Sequence, residues 1–168
     1  MASKVLERSK TVTHLRNVNM DTSLSGSIRY LIEKDGALTI GAPGKADIGL
    51  NGIGYVLILS VDHFYKYFIF GIWLIVWLTI SIFDKHAILT RVGDKYTLKP
   101  CENAKVLQNG KQVMKEVELK HMDRLVFGTS QYYLFAVPAQ ATPTDPYYTF
   151  EMMQVIRLPY ERLPGRYS

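Results

Sequence analysis

The sequence predicts an all-β protein, a sandwich or a barrel of short strands, with a short helix near its C-terminal end. Apolar and polar residues alternate in short runs, and turn-forming residues separate those runs. One of the turns is Asn109-Gly110, a dipeptide that favours a two-residue β-hairpin. The chain has 168 residues, and 48% of them are hydrophobic, which is enough for the packed core of one domain.

Ten short strands are expected, and frequent turns between short strands are typical of a sandwich or a barrel. In chain order the strands are 12–19, 28–33, 37–41, 46–50, 86–92, 95–100, 104–108, 111–113, 123–127 and 132–137. A helical pattern follows at 148–158, and Pro146 and Pro159 bound it. Residues 1–12 form a polar tail without the apolar core of a signal peptide.

Composition excludes several classes of function. The net charge of +5 is mild and its lysines and arginines are scattered, which indicates a solvated surface and no nucleic-acid partner. A single cysteine, Cys101, allows no internal disulfide and indicates a reducing, cytoplasmic compartment. The sequence has no phosphate-binding loop, no catalytic serine motif and no metal-ligand spacing, so we expect neither an enzyme nor a cofactor.

The segment 55–83 differs from the rest of the chain. Residues 67–83 carry no charge, and their 17 residues lie at the lower limit for a membrane-spanning helix. Three interpretations are open at this point: a transmembrane helix, a buried part of a soluble core, or sequence that is absent from the mature protein.

The segments on either side resemble the forkhead-associated (FHA) domain of long-distance transport kinesins. The resemblance rests on six segments in the same order and spacing: THLRNVNMDTSLSGSIRYLIEKDG, TIGAPGKADIGLNGIG, DKHAIL, YTLKP, VLQNGKQV and DRLVFGTSQYYLF. It implies a sandwich of two antiparallel sheets, a hairpin at 39–54, and binding loops gathered at one end. It also implies a microtubule-associated, non-catalytic module whose partner is a cargo, an adaptor or another part of a kinesin.

FHA domains in general bind phosphothreonine peptides through an Arg that follows a strand-terminal Gly, a Ser three residues before a His, and an Asn before a Gly. In this sequence Ala42 follows Gly41, and Phe83 lies three residues before His86. Only Asn109 matches. Because Arg supplies the bidentate donors that a phosphate needs, the resemblance implies weak phosphothreonine binding.

The candidate partner-binding residues are therefore Gly41, Lys45, Asn109 and Gly110. Lys45 follows the turn that begins at Ala42 and offers a point charge. His86 is expected to have a structural role, bonding the backbone of a loop.

Deleting 55–81 joins Gly54 to Ile82 and restores the spacing of the family, DIGLNGIG-IFDKHAIL. Codons for this segment can contain an intron start, a branch point and a terminal AG, so a retained intron is the first interpretation. The second is a single-pass membrane anchor, with membrane localisation if 67–83 is genuine. The domain then comprises 13–54 and 82–137, followed by a tail, 138–168, whose last part departs from the family as in a fragment of a longer motor protein.

Overall fold

The computed structural model describes residues 2–50 and 82–154; the predicted insert at 55–81 and the last part of the predicted helix lie outside them. Within these residues two α-helices, α1 (Ala2–Arg8) and α2 (Phe150–Gln154), flank the strands, and a 3-10 helix lies at Pro138–Gln140. The strands are β1 (His14–Asn17), β2 (Arg29–Leu31), β3 (Gly36–Gly41), β4 (Ile48–Gly49), β5 (Ala87–Val92), β6 (Lys95–Pro100), β7 (Val106–Gln108), β8 (Lys111–Gln112), β9 (Val117–Glu118), β10 (Asp123–Phe127) and β11 (Gln131–Ala136).

The strands form two sheets, one with the order β2-β1-β11-β10-β7-β8 and one with the order β4-β3-β5-β6-β9. Most neighbouring strands are antiparallel, so the predicted fold class is confirmed. Among the described residues, no helix is both long enough and apolar enough to cross a bilayer.

The predicted hairpin at 39–54 is wrong within the described residues, because β3 and β4 pair in parallel, with Ile40 opposite Ile48. The chain first turns at Ala42–Lys45, where the Lys45 amide donates to the Ala42 carbonyl at 3.1 Å. It then returns to Thr39, whose amide donates to the Asp47 carboxylate at 2.8 Å. Since the chain is brought back before β4 begins, β4 runs in the same direction as β3.

The core lies between the two sheets. Its side chains without exposed surface include the large ones Leu15, Ile40, Leu89, Leu98, Leu125, Phe127 and Phe135. Each such side chain stabilises the fold by about 1.5–3 kcal/mol through burial. Tyr96 packs edge-on against Phe135, and its hydroxyl bonds the Thr13 hydroxyl at 2.9 Å, so this buried polar atom is satisfied.

A second apolar cluster covers the outer face of the six-stranded sheet. We call it the outer-face cluster; it comprises Val18, Leu107, Val126, Tyr132, Leu134 and Met153. Met153, on α2, has no exposed surface, and Phe150 packs edge-on against Tyr132 at 5.1 Å between ring centroids. The predicted C-terminal helix is therefore present in the described residues and docked on the sheet.

The segment before α2 is tied to the sandwich by His121. Its Nε2 bonds the Asp145 carboxylate at 2.7 Å, and its Nδ1 accepts from the Val137 amide at 2.9 Å. Hydrogen bonds from His121 and then Thr142 lower the pKa of Asp145 to about 2. The carboxylate is therefore ionised at neutral pH, as a charge-assisted bond to this histidine requires.

Residues 2–8 form the helix α1, where the sequence suggested only a polar tail. Lys4, Leu6 and Arg8 are good helix formers, and Arg8 lies in the last turn, where a positive charge is favourable. Arg8 also forms an ion pair with Glu33, which holds α1 against the sandwich.

The Asn109-Gly110 hairpin predicted from the sequence is present. Gln108 pairs with Lys111, which leaves a two-residue loop between β7 and β8. The φ angles are +50° at Asn109 and +88° at Gly110, and positive φ at both positions is what this turn requires.

Candidate partner-binding loops at one end of the sandwich

Several loops meet at one end of the sandwich, which we call the loop end. It comprises residues 42–47, 82–86, 101–105 and 128–130. Backbone hydrogen bonds join these loops: the Cys101 amide donates to the His86 carbonyl at 3.0 Å, and the Gly128 amide to the Lys105 carbonyl at 2.8 Å. The sandwich thus holds these segments as one surface, as binding loops require.

Gly41 is placed where no side chain fits. A Cβ atom at this position would lie 2.1 Å from the carbonyl oxygen of Asp84, far inside van der Waals contact. The next amide, that of Ala42, donates to the Phe83 carbonyl at 3.0 Å. Gly41 is buried and offers no surface itself, so its contribution is to let 82–86 approach the end of β3.

His86 is fully buried and fastens three segments together. Its Nε2 bonds the Lys105 carbonyl at 2.9 Å, its Nδ1 accepts from the Phe83 amide at 3.3 Å, and its own amide donates to the Ile40 carbonyl at 2.7 Å. This pattern needs a neutral ring with its proton on Nε2, and burial lowers the pKa of His86, which favours that state. The geometry supports a structural role.

The two positions where the family carries phosphate ligands present no side-chain donor. Ala42 is 1% exposed, and its amide is already bonded to Phe83. Phe83 is 41% exposed, and its ring stacks on His86 with 5.7 Å between centroids. A phosphate at this surface would find neither a guanidinium nor a hydroxyl from these two residues.

Lys45 lies in the exposed turn after β3, as the sequence suggested. Lys85 and Lys105 are also exposed at the loop end, beside the acidic Asp84 and Glu102. Neither Lys85 nor Lys105 is among the candidate residues named from the sequence, although both lie in loops that end just before a strand. With the exposed Asp47, the loop end carries three lysines and three acidic residues, so its surface is of mixed charge.

Asn109 and Gly110 do not belong to the loop end. Asn109 lies four residues along the chain from Lys105, about 13 Å at the usual rise of a strand. Its side chain is also occupied: Nδ2 donates to the Asp123 carboxylate at 2.6 Å, and Oδ1 accepts from the Arg124 amide at 2.9 Å. Of the four candidate binding residues, the structure brings together Gly41 and Lys45 and places the other two elsewhere.

No group of three or more His, Cys, Asp or Glu side chains with the geometry of a metal site occurs in the described part of the chain. Cys101 is a free cysteine at the start of the 101–105 loop.

A two-sheet sandwich with loops gathered at one end is the architecture of a class of interaction domains. The FHA domain family model matches residues 74–128. The solved FHA domain of yeast Dun1, in complex with a doubly phosphorylated peptide, superimposes with a TM-score of 0.51 over 82% of this chain and 85% of its own, at 20% identity. The chain contains an FHA domain, which is a protein-interaction module and not a catalytic one.

The curated relatives are kinesin-like proteins. Rat kinesin-like protein KIF28 is 28% identical over 126 residues, which cover 75% of this chain and 10% of the relative. Human kinesin-like protein KIF28P is 38% identical over 125 residues, which cover 74% of this chain and 10% of the relative. The chain therefore spans about a tenth of the length of these relatives and corresponds to the FHA part of a kinesin-like sequence.

Proposed function

We propose that this FHA domain is a cytoplasmic protein-interaction module of a kinesin-like protein, binding a cargo, an adaptor or another part of the motor. In this proposal the partner binds at the loop end, and its binding does not require phosphothreonine. The observation that carries it is Phe83, an aromatic side chain 41% exposed on a loop that is otherwise firmly held.

Phe83 has the properties of an interface anchor. Its ring is stacked on a buried histidine, so little conformational freedom is left to lose on binding. Aromatic residues are enriched in the cores of interfaces, where they contribute much of the binding energy. Asp84 lies next to Phe83 and Lys85 two residues from it, both exposed, so the loop offers charges of both signs beside the ring, which can add specificity for a partner.

The chemistry of Ala42 and Phe83 argues against a phosphate-dependent partner. A hydrogen bond to a charged group contributes about 1.5–3 kcal/mol. Losing two such bonds weakens binding by roughly two to four decades, at 1.4 kcal/mol per decade. The lysines of the loop end are exposed point charges, and they restore only part of the lost binding free energy.

A peptide selection tests the proposal. Peptides are selected on the whole chain from a phage-displayed library, and each binder is synthesised with threonine and with phosphothreonine. We expect binders that bind equally in both forms and lose at least tenfold in affinity to Phe83→Ala. Val92→Ala, at a side chain 71% exposed at the end of β5, is the matched control and should change nothing. Binders indifferent to Phe83→Ala would overturn the proposal, and binders needing the phosphate would favour an atypical phosphothreonine reader.

We further propose that the domain comprises 13–54 and 82–137 and that the mature protein lacks 55–81. The Leu50 amide donates to the Gly41 carbonyl at 2.8 Å, and the Phe83 carbonyl accepts from the Ala42 amide at 3.0 Å. The two described borders of the segment are thus bonded to consecutive residues, which a short connection suits. A single-pass anchor would instead need its ends about 30 Å apart. Sequencing of reverse-transcribed messenger RNA tests this proposal. A dominant transcript that retains the codons for residues 55–81 would contradict it.

A further inference from the structure

Two arginines face each other on the outer face of the six-stranded sheet. Arg16 on β1 is the cross-strand partner of Arg29 on β2. Their side chains converge on Gly26: a Cβ added there would lie 3.4 Å from Cδ of Arg16 and 3.6 Å from Nη2 of Arg29. Like charges directly opposite in a sheet destabilise it unless an opposite charge lies between them.

Within the described residues, nothing supplies that opposite charge. The ion pairs found there involve Arg8, Lys10, Arg91 and His121, and none involves Arg16 or Arg29. Arg29 donates from Nη1 to the Ser9 hydroxyl at 2.7 Å, a neutral partner.

The Nε of Arg29 is buried and has no hydrogen-bond partner. Such an atom is rare in a native structure, because a buried donor without an acceptor is costly. Burial, and then the charge of Arg16, lower the pKa of Arg29, which an anion beside the pair would reverse. Charge and hydrogen bonding therefore point to the same missing group, an oxyanion.

A third arginine lies on the same face, on the far side of Leu134, which is buried in the outer-face cluster. Arg16 lies opposite Leu134 on β11, and Leu134 lies opposite Arg124 on β10. The strands bearing Arg16 and Arg124 are therefore about 10 Å apart. The guanidinium of Arg124 lies 5.1 Å from the ring centroid of Tyr148, which holds it on this face. We call Arg29, Arg16 and Arg124 the arginine row.

We propose that the arginine row binds an acidic segment of a protein partner, through the carboxylates of consecutive Glu or Asp residues. The proposal rests on the function proposed above, an interaction module, and adds a second surface to it. The strands that carry the three arginines span about 14 Å, more than one phosphate group covers, and the arginines suit several carboxylates, each of which accepts a bidentate arginine pair. The chain's own residues 155–168 are unsuitable, because they contain three arginines and one glutamate.

A labelled octaglutamate peptide tests this on the whole chain by fluorescence anisotropy at low salt, with octaglutamine as the control peptide. We expect the glutamate peptide alone to bind, with an affinity that falls as salt is added. The double variant Arg16→Gln, Arg29→Gln should weaken binding at least tenfold. Lys99→Gln, which removes the same kind of charge from an exposed position on the other sheet, should change it less than twofold.

Thermal unfolding of each variant shows whether it is folded. If the double variant is not, Arg16→Gln alone is used, and a smaller loss of octaglutamate affinity is expected. Equal binding by wild type and a folded variant would overturn the proposal, as would equal binding of the two peptides. Tighter binding of oligothymidylate than of octaglutamate would also overturn it and assign the row to nucleic acid. Phe83→Ala should leave octaglutamate binding intact, so failure at the arginine row and failure at the loop end are distinguishable.

Discussion

Replacing Met153 with alanine tests whether α2 is part of the folded domain. Met153 is fully buried in the outer-face cluster, whereas its neighbour Met152 is 50% exposed. Truncating a buried methionine to alanine costs about 2–5 kcal/mol, depending on how far the site collapses. Since α2 has only five residues and can readjust, we expect a value near the lower end, about 2–3 kcal/mol.

The assay is thermal or urea unfolding of the whole chain, followed by circular dichroism. For a protein of this size the expected loss corresponds to roughly 4–10 °C in Tm. Met152→Ala is the matched control, because it removes the same atoms from the same helix at an exposed position, and it should change stability by less than about 0.5 kcal/mol. Equal unfolding of the two variants would refute the docking of α2 on the sheet.

Three further predictions concern the loops. Gly41→Ala forces a Cβ to 2.1 Å from a backbone oxygen and should destabilise the domain by about 3 kcal/mol or more, measured by urea unfolding; a neutral result would contradict the close approach at the loop end. Gly110→Val should lower the free energy of unfolding by about 1–3 kcal/mol, because valine resists the positive φ at this position. Asn109→Gly should lower it by about 1–3 kcal/mol, because the side-chain bonds to Asp123 and to the Arg124 amide are lost. An unchanged Tm in either variant would argue against the turn. Because burial lowers the pKa of His86, stability should fall as the pH drops below about 6.5, where the unfolded chain takes up a proton that the folded chain resists. In Tm measured from pH 7.5 to 5.5, His86→Gln should reduce this pH dependence. An equal slope of Tm against pH in the variant and the wild type would contradict the prediction.

The strand pattern was predictable because it depends on local signals. Alternating side chains and turn residues predicted the described strands except β9, which has only two residues, and Asn109-Gly110 set a hairpin register that the structure contains. The direction of β4 was not predictable in this way. It depends on the bonds between Asp47 and Thr39, which are eight residues apart and compete with the simpler hairpin.

The candidate site was only partly predictable. Gly41 and Lys45 lie at the loop end, but Asn109 was grouped with them although one strand separates its turn from the 101–105 loop. Because successive turns in an antiparallel sheet fall at opposite ends, counting strands would have revealed this. The arginine row needs the pairing of four strands, β2, β1, β11 and β10, and no pattern along the chain brings its members together.

The central claim is that the loop end binds a protein segment without reading phosphate. The most direct test is isothermal titration calorimetry on the whole chain. One peptide from the phage selection is prepared with threonine and with phosphothreonine. The arrangement of Ala42 and Phe83 predicts dissociation constants for the two forms that agree within about threefold, since less than 1 kcal/mol then separates them. Low-micromolar binding that disappears on dephosphorylation would contradict the claim.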